Sequence, residues 1–193
     1  GITGFSQYDK LYADVERWLE EGWLDYLAPQ LYWRRERRAQ AFDVLLDYWL
    51  AQNRQGRHIW PGLFTSKVGA PKDAWPAQEV LEQVALARTR PAATGHLHFS
   101  MVALVQDREG LASALRREAY AQPALAPAMP WLAAGAGAVP LPPPRLLSAA
   151  AGWRAELPDR VGPQVARWAV WARTNGQWRF AAQPASQPAV ASG

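Results

Sequence analysis

Apolar positions along the chain follow a helical period, then short runs, in alternation. Leu11, Val15, Trp18 and Leu19 fall on one face at helical spacing, which predicts a helix over 8–21. Ser6 to Asp9 has the form of a capping box ahead of it, and Gly22 is a natural stop behind it. The apolar and aromatic run from Leu24 to Trp33 then reads as a buried strand, weakened at Pro29, which cannot donate to a ladder. Phe42, Leu45, Leu46, Trp49 and Leu50 form the buried stripe of a second helix. His58 to Phe64 is the next strand. Pro76 opens a helix whose stripe is Val80, Leu81, Val84 and Ala85. A third strand is expected over His96 to Val102, and a helix follows from Leu111 to Tyr120.

Strand starts near 24, 58 and 96 are spaced 34 and 38 residues apart. Strands alternating with helices imply a parallel sheet with right-handed crossovers. A (β/α)₈ barrel uses roughly 250 residues for eight units, about 31 each, so the spacing fits one. Three strands cannot close a barrel, and an open three-stranded sheet leaves two edges. The expected class is therefore α/β, with three strand–helix units of a partial (β/α)₈ barrel. After Pro144 the period changes to two. Trp153 to Glu156, Val165 to Arg173 and Trp178 to Ala182 read as strands, and Asn175-Gly176 is a hairpin turn signal. These predict the start of an antiparallel, sandwich-like β domain. The expected division is 1–131 for the barrel part, 132–144 for a Pro-rich linker and 145–193 for the β domain.

Composition changes this picture only in places. Hydrophobic residues are 49% and charged residues 20% of the 193, as in a soluble globular chain. With no cysteine, disulfides, thiolate zinc sites and cysteine nucleophiles are excluded. The net charge of +4 comes from arginine and is too small an excess to point to nucleic acid, which is not an expected partner. No apolar helix-forming stretch is long enough to span a bilayer, and the region 124–144 is broken by proline. The eleven tryptophans are unusual. Most suit core packing, but an indole face also matches the CH face of a sugar ring.

Several segments, taken in order, resemble the glycosyl-hydrolase-like family 10 proteins. They are Tyr8 to Asp14, Trp18 to Tyr26, and Pro29-Gln30-Leu31-Tyr32-Trp33. Lys67, Gln83 with Arg88, Gly95 with Phe99-Ser100, and Met129-Pro130-Trp131 continue the match. The tail from Pro140 is similar to the fibronectin-like module that follows the barrel in such proteins. The resemblance implies that the three strands are the sixth, seventh and eighth of the barrel. It also implies that the family's Asp-Asp pair, on the fourth strand, is outside this chain. It further implies a bacterial envelope protein, periplasmic or extracellular, with a lipid anchor in an N-terminal segment that precedes this chain.

In a (β/α)₈ enzyme the chemistry sits at the C-terminal ends of the strands. There the candidates for binding sugar are Gln30, Tyr32 and Trp33, then Lys67 beyond the second strand and Ser100 in the third. Gln exchanges hydrogen bonds with hydroxyls, Tyr donates and Trp stacks. A glycosidase needs two carboxylates ~5–5.5 Å or ~6.5–9.5 Å apart. No pair stands at strand ends here. Asp73 can reach the mouth from its loop, while Glu79 is expected on a helix surface. No catalytic residue is therefore assigned, and no cofactor is expected. His96 and His98 share a strand face, but only distant His58 is left as a third ligand, so no metal site is assigned. Arg34 to Arg38 read as a solvated loop. The expected function is part of a glycoside hydrolase acting on a bacterial glycan such as peptidoglycan strands. The alternative is a non-catalytic carbohydrate-binding protein. In both, the expected partner is a glycan.

Overall fold

The structure, a computed structural model, describes residues 3–133, 142–149, 152–156, 167–174, 176–184 and 189–192. The chain divides into two compact units, Gly1–Ala119 and Tyr120–Gly193.

The first unit begins with two short helices where one was expected. α1 (Gln7–Leu11) is capped by Ser6, whose Oγ accepts from the Asp9 amide at 3.2 Å. Tyr12 then turns left-handed at φ 54°, and Asp14 caps α2 (Val15–Glu20). Because the break separates Leu11 from the α2 face, Leu11 is exposed and only Leu19 reaches the core. Gly22 ends this region at φ 69°, a conformation that favours glycine.

Three extended segments follow: β1 (Tyr26–Leu27), β2 (His58–Ile59) with β3 (Gly62–Leu63), and β4 (Leu97–His98). All pair in parallel. Asp25, Leu27 and Pro29 carbonyls accept from the His58, Trp60 and Gly62 amides at 3.2, 2.9 and 2.8 Å. On the other side Pro61 and Leu63 carbonyls accept from Leu97 and Phe99 at 3.1 and 2.9 Å. Gly62 thus lies between Gln30 and Leu97, and the three segments are neighbours in chain order. Pro29 and Pro61 shorten the regular strands because neither can donate, yet their carbonyls keep the ladder running.

Alternation sends Leu31, Ile59 and Leu63 to the helix side, where all three are buried. There they meet α3 (Phe42–Gln52), α4 (Ala77–Arg88) and α6 (Leu111–Arg117) through Phe42, Leu46, Val80, Val84, Leu111 and Leu115. The buried stripe of α4 is Val80, Gln83, Val84 and Ala87, and Ala85 faces out. The third strand is shorter than expected: Met101 starts α5 (Met101–Val105), so Val102 is helical.

In the second unit, β5 (Arg145–Ala149) pairs antiparallel with β6 (Gly152–Glu156), which pairs with β9 (Ala189–Ser192). β7 (Arg167–Thr174) and β8 (Gln177–Pro184) form a hairpin, and Gly176 in its turn has φ 79°. Trp168, Val170 and Ala172 are half-buried while Arg167, Ala169, Trp171 and Arg173 are exposed, as alternation requires. Asn175 and most of the Pro-rich stretch, 134–141, lie outside the described residues.

Gly62 is where the ladder leaves no room for a side chain. A Cβ there would meet Tyr32 Cε1 at 3.0 Å and the Pro29 carbonyl oxygen at 3.1 Å. Gly62→Ala should destabilise the first unit by about 1–3 kcal/mol through overpacking. Urea titration of both proteins measures this, and an unchanged midpoint would show that Tyr32 yields freely.

Candidate functional site

The parallel strands end together, and past their C-terminal ends lies an open cleft of about 600 Å³. Tyr32, Trp33, Arg34, Glu36, Arg37, Lys67, Asp73, Ala74 and Trp75 line it. Three of the five expected sugar-binding residues, Tyr32, Trp33 and Lys67, are therefore brought together.

Tyr32 is set by packing. Its ring stacks on Phe64 at 4.8 Å and on Phe99 at 5.5 Å, so one aromatic from each segment contributes. Burial pushes its phenol up from the usual range, so it remains a protonated donor at neutral pH. Trp33 follows where strand alternation relaxes into the loop and lines the cleft beside Tyr32. Lys67 closes a short 3₁₀ turn, Thr65–Lys67. Its Nζ donates to the Lys72 carbonyl at 3.3 Å and lies 3.9 Å from Asp73 Oδ2. The loop carrying Asp73 is pinned at its base, where Val68 bridges Trp75 and the Trp75 amide donates to the Lys67 carbonyl at 2.8 Å.

Gln30 and Ser100 are not in the cleft lining. Gln30 is exposed on the same sheet face as Tyr32 and bridges Gly62 through its backbone. Ser100 stands at the end of the third segment, tied to Ser66. Its amide donates to Ser66 Oγ at 2.8 Å, and the two hydroxyls lie 3.1 Å apart. It thereby fixes the second and third strand ends relative to each other.

Two carboxylates line the cleft, and both are exposed and paired with a cation. Glu36 lies 2.5 Å from Arg34, and Asp73 is held toward Lys67.

Comparison with known proteins follows the same residues. The glycosyl hydrolase-like 10 family matches residues 1–78. Over those residues the chain is a glycosyl hydrolase-like 10 protein. Glycosyl hydrolase YngK of Bacillus subtilis is 37% identical over 133 residues, which is 67% of this chain and 26% of YngK. Glycosyl hydrolase DigH of Escherichia coli K12 is 36% identical over 104 residues, 50% of this chain and 24% of DigH. The chain spans about a quarter of the length of these curated relatives.

The family segment ends at residue 78, and the next residue corrects an expectation. Glu79 is not on a helix surface; it is 3% exposed. Its Oε1 accepts from the Arg35 amide and from Gln83 Nε2, both at 2.9 Å. Arg35 likewise is not a freely solvated loop residue, for its guanidinium pairs with Glu79 and Glu82. Asp73 lines the cleft from its loop, as expected, while Arg34, Arg37 and Trp75 belong to a cleft wall that strand-end reasoning does not reach, because they sit on loops.

The histidines take other work. His58 is buried, its Nδ1 2.9 Å from Thr94 Oγ1, which also accepts from Trp60 Nε1 at 3.0 Å. His96 and His98 do share a face, with ring centroids 5.2 Å apart. Among the described residues no group of three or more His, Cys, Asp or Glu gathers as metal ligands would. Burial lowers both imidazoles to about 4, and for His96 the charges of His98 and Arg88 push the same way.

A histidine lowered on folding binds its proton first in the unfolded chain, whose ordinary value is about 6.5. The stability these two contribute is complete above pH 6.5 and is lost as pH falls toward 4. Urea midpoints should therefore drop between pH 7 and pH 4.5, and the drop should shrink in a His96→Asn, His98→Asn double variant. An equal drop in both proteins would show that other groups carry the acid sensitivity.

Proposed function

We propose that this chain forms part of the glycan-binding mouth of a (β/α)₈ glycoside hydrolase, contributing its last three strand–helix units. The observation that carries the reading is the meeting of Tyr32, Trp33 and Lys67 in one open cleft beyond the C-terminal ends of parallel strands. The indole supplies a stacking face, and the phenol and ammonium supply donors to hydroxyls or carboxylates. Gln30 and Ser100 extend the same mouth, Gln30 from the sheet face and Ser100 from the third strand end. The substrate is a bacterial envelope glycan, with peptidoglycan strands as the leading case. The catalytic carboxylates come from the part of the family's length that this chain does not span. Residues 145–193 are part of a fibronectin-like module that follows a Pro-rich linker at 132–144, and the protein works in the periplasm or outside the cell, held by a lipid anchor. A family name containing "glycosyl hydrolase" and relatives so named support the reaction class. Among the described residues no helix is long and apolar enough to cross a membrane.

A second reading, binding without cleavage, has one observation in its favour. The only carboxylates lining the cleft, among the described residues, are the cation-paired Glu36 and Asp73.

Co-sedimentation of the 193-residue chain with insoluble peptidoglycan tests the mouth. Trp33→Ala should weaken binding about fivefold, the equivalent of about 1 kcal/mol of aromatic contact, with the melting temperature nearly unchanged. A sharp fall in melting temperature with retained binding would make Trp33 a packing residue only. The chain should release no reducing ends. Release abolished by Glu36→Gln or Asp73→Asn would place the catalytic carboxylates here.

A further inference from the structure

One buried polar cluster lies behind the cleft wall, on the buried face of α4. Glu79 is in the first turn of α4, and its Oε1 accepts from the Arg35 amide. One turn on, Gln83 is fully buried, and its Nε2 donates both to Glu79 Oε1 and to the Trp33 carbonyl at 3.0 Å. Arg35 Nε lies 3.5 Å from Glu79, and its guanidinium also pairs with Glu82. The helix therefore grips the backbone at residues 33 and 35, more than forty positions earlier in the chain. Residues 33, 34, 36 and 37 line the cleft, and Arg35 alone in that run does not.

We infer that Glu79 and Gln83 are positioning residues that set the 33–37 wall of the cleft, with Arg35 as the anchor. The chemistry of each group fits this role. A buried carboxylate is strongly disfavoured unless it is paired and hydrogen-bonded. Among the described residues, Glu79 meets that condition through Arg35 and Gln83. Gln83 leaves its own Oε1 buried with no hydrogen-bond partner among the described residues. An orphaned buried acceptor is destabilising, so the orientation needs a compensating reason. The amide holds that orientation because both atoms beside its Nε2, a carboxylate oxygen and a carbonyl oxygen, require a donor. Meanwhile α4 seats itself on the sheet through Val80, Val84 and Ala87, which belong to the aliphatic core. The polar cluster thus serves the loop and not the helix.

The inference rests on the glycan reading for its consequence, so the test separates the two. Amide hydrogen exchange is followed in the full chain for peptides covering 33–37, 80–88 and 58–63. Glu79→Ala should speed exchange at 33–37 by roughly tenfold, with little change in the other two peptides. Glu79→Gln keeps an acceptor for the Arg35 amide and should restore most of the protection. Faster exchange spread evenly over all three peptides, or Glu79→Gln behaving as Glu79→Ala does, would make the cluster a general stability element and overturn the inference. Co-sedimentation with peptidoglycan runs alongside, and Glu79→Ala should lose binding in parallel with its local exchange. If even the unaltered chain fails to bind, the glycan reading falls and exchange alone decides the positioning role.

Discussion

Everything at the cleft depends on a parallel ladder that passes through two prolines. Asp25, Leu27 and Pro29 offer carbonyls at every second residue, and His58, Trp60 and Gly62 donate to them. A ladder built this way tolerates Pro29 and Pro61 because each is asked only to accept. Since all segments run the same way, their C-terminal ends arrive on one side. Tyr32, Phe64 and Phe99, one from each segment, then gather in one aromatic cluster, and Gly62 leaves the room the Tyr32 ring occupies. The helices on the opposite face hold this sheet through an aliphatic core, so the polar face is free for chemistry.

Around that frame the loops are fastened by specific polar contacts. Ser66 and Ser100 tie two strand ends, the Val68–Trp75 bridge closes the Lys67–Asp73 loop, and Glu79 with Gln83 holds residues 33–35. Each fastening joins segments more than thirty residues apart, apart from the Val68–Trp75 bridge. A cleft made in this way offers stacking faces and charged donors at fixed places, which suits a sugar chain better than a small apolar ligand.

What sequence alone conveyed follows from the length scale of each signal. The stripe of α3 and the alternation in β7 are local and repeated, and both appear where the periods put them. Pro29 announced a weakened strand, and the regular pairing does stop before it. Tyr12 carried no mark of the left-handed turn that splits the first helix, and Leu11 lost its expected burial as a result. Strand ends named Tyr32, Trp33 and Lys67, because the barrel rule concerns strand ends. Glu79 departs from expectation because a carboxylate in a helix's first turn is ordinarily solvated, whereas here the distant Arg35, together with Gln83, makes burial tolerable. Arg34, Arg37 and Trp75 depend on loop paths, for which the sequence offers no period.

The central claim is that the cleft bearing Tyr32, Trp33 and Lys67 receives a glycan. The most direct measurement is a nuclear magnetic resonance titration of the isotope-labelled chain with soluble peptidoglycan fragments. The account predicts shifts concentrated at the Trp33 indole, the Lys67 and Tyr32 amides and their cleft neighbours. Shifts confined to the β7–β8 hairpin, or no saturable shifts at the cleft, would contradict it.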